Sequence, residues 1–420
     1  EARCSDVDAT SADIDPGIGS SKLWHSIFAF CLGAIEIVKL PLAWLQLSHQ
    51  KLRLAIALAG ICFADVLMFM QLGFRGALFE SAVTVHRAFE GDIFLMSPQS
   101  TAFIALNDFS RRRLYQALAV DGVASVAPLY VDFGIWKNPL DATPRAIMVI
   151  GANPQDDVLK IPEVRANRAL LQLPDYILFD RQSRPEFGPI SDLLAQGDPV
   201  RVELDDRRVT VGGLVTLGAS FGADGNVIAS DRNFLRLFPR REPGLIDVGV
   251  IRLHPEADPE LVTAKLREYL PQDVLVFTRQ EFFDYEKAYW QSGTSIGFVF
   301  TLGTIIGLIV GIVIVYQVLY TDVSDHLPEY ATLKAMGYGD RFLLWIVFQE
   351  ALILACMGFI PGAGFSALMY TVTRQATSLP MLMSTTRLTT VFILTVVMCM
   401  FSGSLAMRRL QAADPAEVFA

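Results

Sequence analysis

The chain has 420 residues, 52% of them apolar and only 19% charged, with a formal net charge of −9. Soluble domains carry about 25% charged residues, so this composition argues against a wholly soluble enzyme. The acidic balance argues against a nucleic-acid partner, which asks for a basic surface.

Residues 1–22 are rich in Ser, Asp and Gly and read as a disordered acidic tail. They lack the basic start of a cleaved signal peptide. Residues 23–53 read as an interfacial amphipathic segment. His25, Glu36, Lys39 and Pro41 interrupt it, and the uncharged run Ile27–Ile35 is too short to span. Trp24 and Trp44 suit the headgroup region; a fifth span is the rival reading.

A bilayer core takes about 20 mostly apolar residues as a helix. Four segments qualify as transmembrane helices: 54–74, 296–320, 342–371 and 388–407. The first contains Asp65, and the third contains Glu350 and Pro361 as interruptions. Lys51 and Arg53, then Lys334 and Arg341, then Arg408 and Arg409 mark one side of the membrane. The positive-inside rule makes that side cytoplasmic. Arg75, Lys287, Arg374 and Arg387 weaken the contrast from the other side. The expectation is a plasma (inner) membrane protein with both termini cytoplasmic and residues 75–290 outside.

Residues 75–290 are polar enough for a water-soluble domain. Asp92–Ser97 alternates as a strand, Asn107 starts a helix to about Val120, and Val123–Gly134 is a second strand. The order recurs with a strand Ile246–Leu253, a helix from Asp258-Pro259 to about Tyr269, and a strand Asp273–Thr278. Val200–Leu204 and Arg208–Val211 form a hairpin around Asp205-Asp206. The fold class is therefore membrane α-helical, four transmembrane helices, with an inserted α+β extracytoplasmic domain holding a repeated unit and a β-rich part.

No catalytic constellation stands out. The glycine-rich stretch Gly218–Gly225 lacks the Lys-Ser/Thr of a phosphate loop and reads as a plain loop. There is no H-E-x-x-H or G-x-S-x-G, and His86 and His254 read as solvated or capping residues. Cys4, Cys31, Cys62, Cys356 and Cys399 lack metal spacing and read as small apolar side chains; no metal site is expected.

Inside the membrane, Gly303, Gly307 and Gly311 recur every fourth residue, and Gly358 and Gly362 repeat that spacing. Such stripes let helices approach closely. They serve as static packing or as a seam that shifts. Asp65 should face protein or water, as a hydrogen-bonded structural group or as a gate; Glu350 could lie in the span or at the interface.

The segment 321–340 reads TDVSDHLPEYATLKAMGYGD. Pro328-Glu329 opens a short helix and Gly337 closes it. Tyr330, Leu333 and Met336–Gly337 share one side, an apolar face suited to a groove of a soluble partner, unless this is an ordinary capped turn.

The run Glu329-Tyr-Ala-Thr-Leu-Lys-Ala-Met-Gly-Tyr resembles the cytoplasmic loop of FtsX/MacB-type ABC permeases. One span, a large outer domain, three spans and the tail Arg408-Arg409…Asp414-Pro-Ala-Glu-Val-Phe are similar to that family's layout. More narrowly, Pro41–Leu47 and Ala57–Phe74 resemble the DevC permeases of cyanobacteria. The resemblance covers residues 40–420. It implies a MacB-like periplasmic core domain and a homodimer. It implies a coupling helix at Glu329, Tyr330, Leu333, Lys334, Met336 and Gly337 that binds a separate ABC ATPase subunit. This chain would be non-catalytic and hold no cofactor of its own, ATP being bound by the partner. It further implies a membrane-fusion adaptor, a TolC-like outer-membrane protein, contact with membrane lipids, and efflux of a glycolipid or other amphiphile. An FtsX-like regulator of a cell-wall hydrolase and a lipoprotein-releasing permease are the alternatives. Segment 408–420 would be a cytoplasmic tail.

Overall fold

The structure, a computed structural model, describes residues 51–197, 199–377 and 379–412. The expected tail at 1–22, all but the last three residues of the interfacial segment, and the end of the C-terminal tail lie outside the described residues. Two compact units result: Phe74–Phe300 with Thr373–Met381, and a helical unit built from the described remainder.

The helical unit contains four helices long and apolar enough to cross a membrane. Helix α1 covers Lys51–Ala82 and continues past Phe74, where the apolar run stops. The others, numbered below with the rest, are α7 (Ser295–Asp325), α9 (Asp340–Thr377) and α10 (Thr385–Ala412). Helix α9 runs unbroken through Glu350 and Pro361, both read from sequence as interruptions. Neighbouring helices can re-satisfy the carbonyl that a proline frees. Ala57, Ile61 and Ala64 of α1 pack with Val315, Leu319, Leu354 and Met398 in a core of small and branched side chains.

The outer unit begins with α2 (Thr84–Arg87), β1 (Ile93–Met96), β2 (Phe109–Ser110), α3 (Arg112–Ala117) and β3 (Val123–Lys137). The helix expected from Asn107 starts later, because Phe109 and Ser110 pair with Ile246 and Leu245 of β9. Strands β4 (Pro144–Ala152), β5 (Tyr176–Asp180), β6 (Val200–Leu204), β7 (Arg207–Val215) and β8 (Asn226–Ala229) follow, with α4 (Asp231–Leu237) after β8. The last part is β9 (Leu245–Ile246), β10 (Val248–Leu253), α5 (Pro259–Tyr269), β11 (Leu275–Thr278) and α6 (Arg279–Ala288).

Nine strands form one sheet in the order β11-β1-β10-β3-β4-β8-β5-β7-β6. The two expected repeats supply β11-β1-β10-β3, and the β-rich part continues the same sheet through β4. Among the described residues, β4–β8 and β5–β7 run parallel and the other pairs of this sheet antiparallel. The hairpin β6–β7 turns at Asp205 and Asp206, whose φ values of 51° and 61° suit the tight turns that follow strand twist. Asp258 caps α5 by accepting from the Glu260 N–H, with Pro259 in its first turn, as the sequence required. Both faces of the sheet are covered: Leu114, Val262 and Leu266 pack on one, and Phe89, Phe103 and Phe282 on the other.

Candidate functional site

The short helix α8 (Leu327–Ala335) joins α7 to α9. Pro328 lies in its first turn, where its missing N–H costs nothing. Gly337 ends it at φ +95°, a left-handed conformation that side chains strain to adopt. The apolar face read from sequence divides in two. Tyr330 is fully buried beside Val323, Leu343, Ile346, Val347 and Met407, and Leu333 packs against that cluster. Those two residues therefore hold α8 to its own bundle rather than offering a free face. Met336 is 63% exposed and Tyr338 45% exposed, while Glu329 is exposed and Lys334 half-buried. The exposed apolar side chains of this segment thus lie at the C-terminal end of α8 and in the turn after it.

A polar cluster lies just before α8. Asp322 and Glu350 are buried, and their carboxyls adjoin. His326 places Nδ1 3.0 Å from the Asp322 carbonyl oxygen and precedes the first residue of α8. Arg53 pairs with Asp325 at 2.7 Å. Asp322 went unnoticed in the sequence, where it sits among the polar residues of the loop; only the fold brings it to Glu350.

Both glycine stripes face α1. A Cβ on Gly303 would meet the Gln71 amide at 2.5 Å, and one on Gly307 would meet Met68 and Leu67 at ordinary contact, 3.4 and 3.5 Å. At Gly311 it would strike the Met398 sulfur and the Ala64 methyl. From the other side, Gly358 admits Ile61 (2.6 Å) and Gly362 admits the Asp65 Cβ (2.9 Å). Helix α1 is therefore gripped between α7 and α9 at backbone distance. The opposite face of α7 exposes Leu302, Ile305, Ile309 and Val313. Asp65 is fully buried and accepts a 2.5 Å hydrogen bond from the Thr395 hydroxyl on α10.

In the outer unit, Glu286 near the end of α6 is buried. Its Oε2 accepts the Phe103 N–H and its Oε1 the indole N–H of Trp290, each at 2.8 Å. Burial pushes the carboxyl up, and these two donors pull it back. His86 is fully buried among Phe89, Phe103, Phe282 and Phe283, not solvated or capping as its isolation suggested. Burial drives it down to about 3 against the pull of the Ala82 carbonyl, so the ring is neutral. Its Nε2 stands 3.6 Å from Oε2 of Glu286. A sequence signal for this site exists: Phe282, Glu286 and Trp290 fall at i, i+4 and i+8, an acid on an apolar face. The glycine-rich loop 218–225 is tied down by Asp180, which accepts from the N–H groups of Leu217 and Gly218. Among the described residues no group of three or more His, Cys, Asp or Glu could hold a metal.

Among the described residues, four long apolar helices with a large domain between the first and second define a polytopic membrane protein. Residues 293–415 match the family model of the FtsX-like permease C-terminal region. The region holding the last three long helices and α8 is thus similar to that family, to which the loop motif also pointed. Among solved structures, the chain is similar to the periplasmic region of MacB from Actinobacillus actinomycetemcomitans at 12% identity and TM-score 0.32, covering 46% of this chain and 92% of that one. It is similar to the extracellular domain of the noncanonic ABC-type transporter YknZ from Gram-positive bacteria at 13% identity and TM-score 0.30, covering 45% and 100%. No curated protein matches the chain.

Proposed function

We propose that this chain is the DevC-type membrane subunit of an ABC exporter. Helix α8 receives a separate ATPase subunit on the cytoplasmic side, and nucleotide-driven motion passes along α1 and α7 to a periplasmic domain. The observation that carries this reading is α8 itself. It is anchored inward by Tyr330 and Leu333 and presents Met336 and Tyr338 outward, within the region of the FtsX-like match. An exposed methionine and aromatic just past the end of a fixed helix suit a shallow groove of a soluble partner.

The chain acts without catalysis and holds no cofactor; ATP binds to the partner. Two copies pair, and the exposed branched face of α7 meets lipid or the second copy. Cargo is a glycolipid or another amphiphile, passed through a membrane-fusion adaptor and a TolC-like duct.

Affinity purification from native membranes in mild detergent, followed by mass spectrometry, tests the reading. An ATPase with an adaptor is the expected result. An ATPase with a wall hydrolase, or with no adaptor, would favour regulation or lipoprotein release instead. Recovery of no ATPase would remove the coupling role of α8.

A further inference from the structure

Between α6 and α7 the chain does not run on as one helix. Tyr289–Gly293 forms a π turn, and Thr294 is extended at φ −122° and ψ 157° before α7 begins at Ser295. A π turn is a poor helix, used where a chain must bend or shift. Two glycines flank the bend. A Cβ on Gly293 would meet the Tyr289 ring at 3.1 Å, and one on Gly297 would collide with the Gln291 carbonyl oxygen. The covalent route to the second span therefore passes through a break with small residues on either side.

That break is held from one point. Trp290, the second residue of the π turn, is buried and gives its indole N–H to Glu286. The same carboxylate takes the Phe103 N–H from the loop between β1 and β2 on Oε2, and His86 Nε2 of α2 stands 3.6 Å from that same oxygen. On its far side Trp290 meets the Phe221 ring edge-on, with centroids 4.8 Å apart. Phe221 belongs to the glycine-rich loop 218–225 and is 39% exposed. Gly222 of that loop packs on Ile104, next to Phe103. The segment leaving the first span, the segment approaching the second, and two loops of the outer domain thus meet around one carboxylate.

We propose that Glu286 is the latch of a hinge at residues 289–294, and that the hinge, α2, loop 97–108 and loop 218–225 open as one cooperative unit. The physical reason is the cost of a half-made site. A buried carboxylate that loses one of two N–H donors keeps most of its desolvation penalty, so the segments supplying those donors release together. The exposed face of the unit is loop 218–225. Loop 218–225 joins the unit through Phe221 against Trp290 and Gly222 against Ile104. This assignment does not depend on the exporter reading.

Hydrogen–deuterium exchange of the full chain in lipid nanodiscs tests it, with peptides over 84–90, 99–107, 218–225 and 286–296. Glu286→Gln keeps the size and replaces one acceptor oxygen with an NH₂ group. Exchange should rise roughly ten- to hundredfold in all four peptides together, the loss expected for one charge-assisted buried hydrogen bond. Trp290→Phe guards against misfolding of the first variant: it keeps an aromatic ring toward Phe221, removes the indole N–H together with the five-membered ring, and should raise the same four peptides. Lys287→Ala breaks only the exposed pair with Glu80 and should leave all four unchanged. A rise confined to 286–296, or no rise in any peptide of either variant, would overturn the latch.

Discussion

The Thr395 hydroxyl on the fourth long helix donates to Asp65 on the first, at 2.5 Å, with both residues fully buried. Burying that carboxyl without a donor would cost several kcal/mol in hydrocarbon, so the hydroxyl fixes how the two helices face each other. Thr395→Val keeps the shape and removes the donor. It should cost about 1–3 kcal/mol, and Thr395→Ser should restore most of it. Thermal unfolding in nanodiscs decides: equal midpoints for the valine variant and the parent would make the bond dispensable.

The glycine seam should show position dependence. Gly311→Leu drives a side chain into Met398 and Ala64 and should cost about 1–3 kcal/mol or block assembly. Gly307→Ala meets nothing nearer than 3.4 Å and should stay within about 0.5 kcal/mol of the parent. Equal melting of the two variants would mean that α7 does not lie against α1 in this register.

At α8 the two apolar variants should part company. Leu333→Asp places a charge against the Tyr330 cluster and should lower stability by about 2 kcal/mol or more. Met336→Asp changes an exposed side chain and should melt like the parent. Under the exporter reading it also loses at least tenfold in affinity for the ATPase subunit recovered with the native complex. Undiminished binding by Met336→Asp would place the docking surface elsewhere.

Acid should weaken the outer unit through His86. Its ordinary value is 6.5, and burial lowers it to about 3 in the fold. Between those values the unfolded chain binds a proton that the folded chain refuses. The stability is fully present above about 6.5 and is lost as pH falls toward 3, at up to about 1.4 kcal/mol per pH unit. Glu286 slopes the other way: upward from its ordinary 4.5 the fold keeps the proton longer, so that contribution declines as pH rises. His86→Phe should flatten the acid limb. Denaturation of the full chain in nanodiscs from about pH 7 down to about pH 5 checks this; parallel curves for parent and variant would mean that His86 does not titrate this way.

The spans and the inserted domain were legible because they rest on local signals. Length and apolar content located four long helices, and Asp258-Pro259, Gly337 and Asp205-Asp206 each marked a cap or turn that the backbone takes up. The i, i+4 glycine spacing showed that two helices carry close-packing faces, because helical periodicity alone fixes which residues share a face. It could not say that both faces meet α1, because that depends on how four helices are arranged.

Long-range pairing decided the rest. The helix expected at Asn107 gave way to a strand because β9, more than a hundred residues later, supplied its hydrogen bonds. The face of α8 was divided by the neighbours that Tyr330 and Leu333 found, and hydrophobic spacing cannot tell a bundle core from a partner's groove. Asp322 beside Glu350, and His86 beside Glu286, come from distant parts of the chain, and nothing in either local stretch reports the other. The sequence determined which segments cross the membrane and which fold outside it, since transfer free energy adds up along the chain. Only the tertiary structure decided which polar groups are buried together, since the cost of burying a charge depends on donors that distant segments bring.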